Sequence, residues 1–64
     1  MVKINGESVS AEGKTLADYL AESGYDVKRV AVELNGDIVP KVAYSQTVLA
    51  AGDEVEIVAF VGGG

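Results

Sequence analysis

The chain has 64 residues, 48% of them apolar, with ten acidic and five basic side chains and neither cysteine nor histidine. Those counts leave no thiolate nucleophile, no imidazole base, no disulfide framework and no zinc site of the usual Cys/His type, so a conventional enzyme is not expected. A net charge of −5 repels phosphate backbones and anionic lipid, which disfavours nucleic-acid and membrane-surface roles and favours a protein partner with a basic rim. The length suits one small domain, and with no long apolar stretch and no cysteine to oxidise the chain is expected to be cytoplasmic.

The first element read from the N-terminus is a hairpin. Asn5-Gly6 lies between the extended-looking runs Val2 to Ile4 and Glu7 to Val9. Asn-Gly is the strongest short hairpin signal because both central residues of a type I′ turn need φ > 0. Val2 and Ile4 point one way and Lys3 the other, so one face of the pair is core.

A helix follows. Thr15 is its N-cap and Asp18 stands at the third helical position as an approximate capping box. Leu16, Leu20 and Ser23, flanked by Ala17 and Tyr19, make the inward stripe, while Asp18 and Glu22 face water. Gly24 supplies the left-handed residue after the C-cap, and Tyr25 the hydrophobic contact of a Schellman-type stop.

The second Asn-Gly pair, Asn35-Gly36, joins Val30 to Leu34 with Asp37 to Val39, and Pro40 ends that strand because it cannot donate to a ladder. Lys41 to Ala51 reads as irregular, with a short helical turn expected around Ser45 to Leu49. Ala51-Gly52-Asp53 then turns into a last strand from Glu54 to about Phe60. The order ββαββ with one amphipathic helix defines an α+β two-layer domain of residues 1–61, a mixed sheet with the helix packed on one face. This is the order of a β-grasp, the ubiquitin-like fold, in which the last strand lies beside the first, parallel to it and central.

The sequence closes on Gly62, Gly63 and Gly64, read as a flexible tail. Glycine has no Cβ and accepts almost any backbone angle, so this is the thinnest peptide a chain can present to a narrow channel. Three extended residues reach roughly 10 Å, enough to carry a terminal carboxylate into another protein's active site. That carboxylate is anionic at neutral pH and a poor electrophile, so it must be activated, for instance by acyl-adenylation. Attack by a thiol and then a lysine would make a protein modifier, whereas sulfide or persulfide would leave a thiocarboxylate on Gly64. With no cysteine in the chain, any sulfur it carried would sit on the terminal carbonyl.

If Val55, Ile57 and Ala59 face the helix, then Glu54, Glu56, Val58 and Phe60 face the other side of the sheet. Val58 and Phe60 would form an apolar docking patch with Glu54 and Glu56 as an acidic rim, extended by Ala31 and Glu33. Asp53, Glu54 and Glu56 lack partner ligands and are read as solvated carboxylates, not as metal or acid/base groups. Tyr19, Tyr25 and Tyr44 are read as packing residues.

Val30-Ala31-Val32-Glu33-Leu34-Asn35-Gly36-Asp37-Ile38-Val39-Pro40, the Gly52-Asp53 turn, the strand after it and the terminal diglycine together resemble the ThiS family of sulfur carriers in thiamine biosynthesis. Ile4-Asn5-Gly6-Glu7 and the helix Thr15-Leu16-Ala17-Asp18-Tyr19-Leu20 fit the same pattern, so the resemblance spans essentially the whole chain. It implies that Gly64 is adenylated by a ThiF-type adenylyltransferase using ATP and magnesium, that a sulfur donor system converts it to a thiocarboxylate, and that thiazole synthase takes the sulfur. It further implies a protein co-substrate with no bound cofactor or metal, with Gly63 and Gly64 as the family's diglycine and Val58 and Phe60 on the surface that docks partners. The diglycine is shared with the small subunit of molybdopterin synthase and with ubiquitin-like modifiers, which stand as the alternatives.

Overall fold

The computed structural model describes residues 1–60. Both Asn-Gly pairs make the turns their chemistry favours. Asn5 and Gly6 have φ of 51° and 85°, and Asn35 and Gly36 of 52° and 90°, the all-positive pattern of a type I′ turn. They close two hairpins, β1 (Val2–Ile4) with β2 (Glu7–Val9) and β3 (Val30–Leu34) with β4 (Asp37–Val39).

Helix α1 (Leu16–Glu22) is held at both ends by its own sequence. The Asp18 N–H donates to Thr15 Oγ1 at 3.1 Å, satisfying one of the free donors of the first turn. At the other end the Gly24 N–H donates to the Ala21 carbonyl at 3.2 Å and the Tyr25 N–H to the Leu20 carbonyl at 2.9 Å, the bond pair of a Schellman stop with Gly24 at φ 82°. Leu16 and Leu20 are fully buried, each contributing roughly 1.5–3 kcal/mol relative to exposure.

The last strand, β5 (Glu54–Ala59), completes a sheet ordered β2-β1-β5-β3-β4. It runs parallel to β1 and antiparallel to β3, so the strand that leads to the glycines is central. The helix covers one face, and the core there comprises Val2, Ile4, Leu16, Leu20, Val30, Val32, Leu49, Val55 and Ile57 with Ala11 and Tyr44. Tyr19 and Tyr25 pack half-buried against this cluster, as packing residues should.

Four details differ from the sequence reading. Ser23 is exposed, because it is the C-cap and not an inward position of the helix. Ala59 is exposed although it shares the inward phase of Val55 and Ile57. A seven-residue helix is only about 10 Å long, too short to cover the far end of a six-residue strand. The helical turn expected at Ser45 to Leu49 forms earlier, as a 3₁₀ turn over Lys41–Ala43, because Pro40 at its N-cap opens the turn at once. A second 3₁₀ turn, Val27–Arg29, links α1 to β3; it is capped by Asp26, whose Oδ1 accepts the Lys28 N–H at 2.9 Å. The domain boundary at residue 61 and the tail Gly62, Gly63 and Gly64 lie outside the described residues.

Candidate functional site

Strand β5 is gripped from both sides by the residues that make the hairpin turns. On the β1 side the Asn5 N–H donates to the Val55 carbonyl at 2.8 Å. The Asn5 side chain then substitutes for the next residue of β1: its Oδ1 accepts the Ile57 N–H at 2.7 Å and its Nδ2 donates to the Ile57 carbonyl at 3.2 Å. On the β3 side the Asn35 N–H donates to the Glu54 carbonyl at 2.7 Å, and Asn35 Oδ1 accepts the Glu54 N–H at 2.9 Å. Asn35 Nδ2 donates to Asp53 Oδ1 at 3.1 Å, and Asp53 Oδ2 accepts the Ala50 N–H at 2.9 Å, which fastens the turn ahead of β5. The register of the strand, and with it the point where the chain leaves the sheet, is thereby fixed.

The face away from the helix carries a polarised strip along β3 and β5. Glu33 lies opposite Glu56, Ala31 opposite Val58, and beyond them the Phe60 N–H donates to the Arg29 carbonyl at 2.7 Å. Val58 and Phe60 are 58% and 54% exposed, large apolar side chains left in water beside the chain's exit. Ile38, paired with Glu33 from the edge strand β4, is 77% exposed and widens the apolar area. Glu54 and Glu56 are exposed at the opposite end of the strip from Phe60, with Lys3 facing Glu54 across the parallel pair. Glu33 and Glu56 set like charges directly opposite each other, an arrangement that costs folding free energy and that a cationic partner would relieve.

The sites read from the sequence therefore fall as follows. Val58, Phe60, Glu54 and Glu56 share the uncovered face with Ala31 and Glu33, as expected, while Gly62, Gly63 and Gly64 are outside the described residues. The side chains of Asn5 and Asn35 were legible only as turn formers, because their contacts with β5 lie 52 and 19 positions along the chain. The groove formed by Asp26, Lys28, Arg29 and Phe60 had no sequence signal at all. Among the described residues no group of three or more Asp or Glu side chains is placed to hold a metal ion, and no helix is long and apolar enough to cross a membrane.

A mixed sheet of this order with one helix across it and a central last strand defines a β-grasp, ubiquitin-like protein. The crystal structure of thiamine biosynthesis protein ThiS from Geobacter metallireducens superposes with a TM-score of 0.78 at 33% identity, over 98% of this chain and 97% of that one. The sequence model of the ThiS family matches residues 1–64, and the chain belongs to that family. It is 44% identical to the sulfur carrier protein ThiS of Thermus thermophilus over the full length of both. It is also 48% identical, over 95% of its length, to a segment of a thiazole synthase from Paramagnetospirillum magneticum. The chain spans about a fifth of the length of the thiazole synthases it matches.

Proposed function

We propose that the chain is a sulfur carrier of thiamine biosynthesis, a co-substrate whose reactive group is the Gly64 carboxylate. The observation that carries this reading is the central position of β5, register-locked by Asn5 and Asn35, with Val58 and Phe60 exposed beside the residues that lead to the glycines. A partner docked on that patch would receive the tail while the folded body stays outside. The full-length likeness to a protein named as a sulfur carrier supports the chemistry. Thiazole synthases that hold a homologous segment within their own chain support that enzyme as the acceptor.

In this reading a ThiF-type adenylyltransferase joins the Gly64 carboxylate to AMP and releases pyrophosphate, with ATP and magnesium held by that enzyme. A donor persulfide displaces AMP to give an acyl disulfide, and a second thiol of the donor system cleaves its S–S bond, leaving the thiocarboxylate on Gly64 and a disulfide on the donor; free sulfide would displace AMP to the thiocarboxylate directly. Thiazole synthase then takes the sulfur, an oxygen from the sulfur-accepting substrate or from water replaces it, and the Gly64 carboxylate returns. The carrier contributes no acid, base or metal to these steps: Val58 and Phe60 dock, Glu54 and Glu56 set charge complementarity, and Gly62 and Gly63 fit the channel.

The test is ATP–pyrophosphate exchange catalysed by a purified ThiF-type enzyme, with the chain as given and with one alanine added after Gly64. Exchange with the first and none with the second is expected, because the added residue turns the Gly64 carboxylate into an amide. Equal exchange by both would show that the reacting group is not on Gly64.

A further inference from the structure

We propose that Lys28 and Arg29 form a cationic collar at the root of the tail, which docks an acidic segment of the activating enzyme at the mouth of the channel that takes the tail. This inference rests on the carrier reading above and adds a binding element to it.

The chain is strongly acidic, yet three of its five basic side chains, Lys28, Arg29 and Lys41, meet at one place, the 3₁₀ turn Val27–Arg29 beside the end of β5. Against them stands Asp26, which leaves this corner at about +2 in a molecule of net −5. Asp26 approaches Arg29 only at 3.7 Å with both side chains largely exposed, a pair that contributes little and leaves the guanidinium open to a better partner. Lys28, Arg29 and Phe60 line one groove together with Asp26, so two cations, one carboxylate and the aromatic ring border the place where β5 ends.

The turn that presents these cations is built to hold still. Asp26 caps it from the front. Behind it, Lys41 Nζ donates to the Val27 and Val30 carbonyls at 3.0 Å each, closing the free acceptors at its far end. Lys41 is thus spent on the backbone, and Lys28 and Arg29 are presented outward by a fixed support, so binding orders their two side chains and not the backbone that carries them.

Two anionic occupants suit such a corner, the phosphates of the nucleotide and carboxylates of the enzyme itself. Geometry separates them. Drawn out into a channel, the four residues after Phe60 would carry the reacting carboxylate roughly 13 Å onward, farther than an arginine side chain reaches. The phosphates stay with that carboxylate, whereas the collar stays at the channel mouth and meets protein carboxylates there. Along the strip from Phe60 through Val58 to Glu56 this chain reads basic, apolar, acidic, so a partner surface reading acidic, apolar, basic outward from its channel fits in one orientation only.

The experiment compares Lys28→Glu and Arg29→Glu with Lys14→Glu, which makes the same charge change beside Glu22 on the helix. Each full chain is titrated as substrate in ATP–pyrophosphate exchange by a purified ThiF-type adenylyltransferase, after circular dichroism has checked its fold. The expected result is a KM for the carrier raised about tenfold by either collar variant with kcat within about twofold, no more than a twofold change for Lys14→Glu, and a gap that closes as salt is raised to about 0.5 M. Equal KM values for the collar and control variants would overturn the proposal, as would a gap that salt leaves unchanged or a fall in kcat with KM constant. No exchange by the unaltered chain would instead remove the carrier reading, and the collar with it.

Discussion

The two faces of the sheet use the same five strands and the same period of two, yet the residues they present are opposite in character. The face under α1 is filled by Val2, Ile4, Val30, Val32, Val55 and Ile57, all buried. The other face places Ala31, Glu33, Ile38, Glu56, Val58 and Phe60 in water. A domain of this size buries only about 60% of the surface its unfolded chain exposes, less than larger domains do, so leaving Ile38, Val58 and Phe60 uncovered gives up stabilisation it could use. Folding is concentrated on one face, which leaves the other free to be selected for docking.

That contrast can be broken or sharpened by substitution. The largest expected effect is on the covered face, where Leu20→Ala should lower unfolding free energy by about 2–5 kcal/mol in urea titration while the remaining folded protein keeps its reactivity. Asn5→Ala, which leaves the Ile57 N–H and carbonyl without their side-chain partner and also places alanine at φ 51°, should cost about 2–4 kcal/mol in the same measurement. Glu56→Gln removes the like-charge opposition with Glu33 and should raise stability by roughly 0.2–1 kcal/mol; a loss would mean that the pair is not repulsive. Phe60→Ala should change stability by no more than about 0.5 kcal/mol, yet weaken docking to the activating enzyme about tenfold in KM. A large stability loss would make Phe60 a core residue and erase the distinction between the faces.

The smallest effect is confined to alkaline pH. Burial raises the Tyr44 hydroxyl above its ordinary value of 10.0, so the folded state favours the neutral phenol. A raised value contributes stability that is fully present below the unfolded pKa and is lost as pH rises through the folded one. Urea midpoints of the wild type should therefore fall above about pH 10 more steeply than those of Tyr44→Phe, and parallel curves would show that the hydroxyl does not couple to folding.

The hairpins, the helix caps and the alternation of β5 were readable because each rests on local chemistry. Asn5-Gly6 and Asn35-Gly36 require positive φ, Thr15 and Gly24 close a helix, and a period of two sorts Val55 and Ile57 from Val58 and Phe60. What was not readable depends on residues far apart in the chain. The Asn5 amide finds Ile57, and Lys41 finds the Val27 and Val30 carbonyls, only once the sheet has formed. Ala59 shows the same limit from the other side: its phase is inward, but whether a helix reaches it depends on where that helix ends. The collar of Lys28 and Arg29 follows from a short 3₁₀ turn that no periodicity announces.

The most direct test of the central claim is the intact mass of the chain after incubation with a ThiF-type adenylyltransferase, ATP, magnesium and a sulfur donor. The expected result is the mass change of one oxygen-to-sulfur exchange, located on Gly64 and reversed when thiazole synthase and its substrates are added. Recovery of the chain only as lysine conjugates, or with its mass unchanged while a control sulfur carrier is converted, would contradict it.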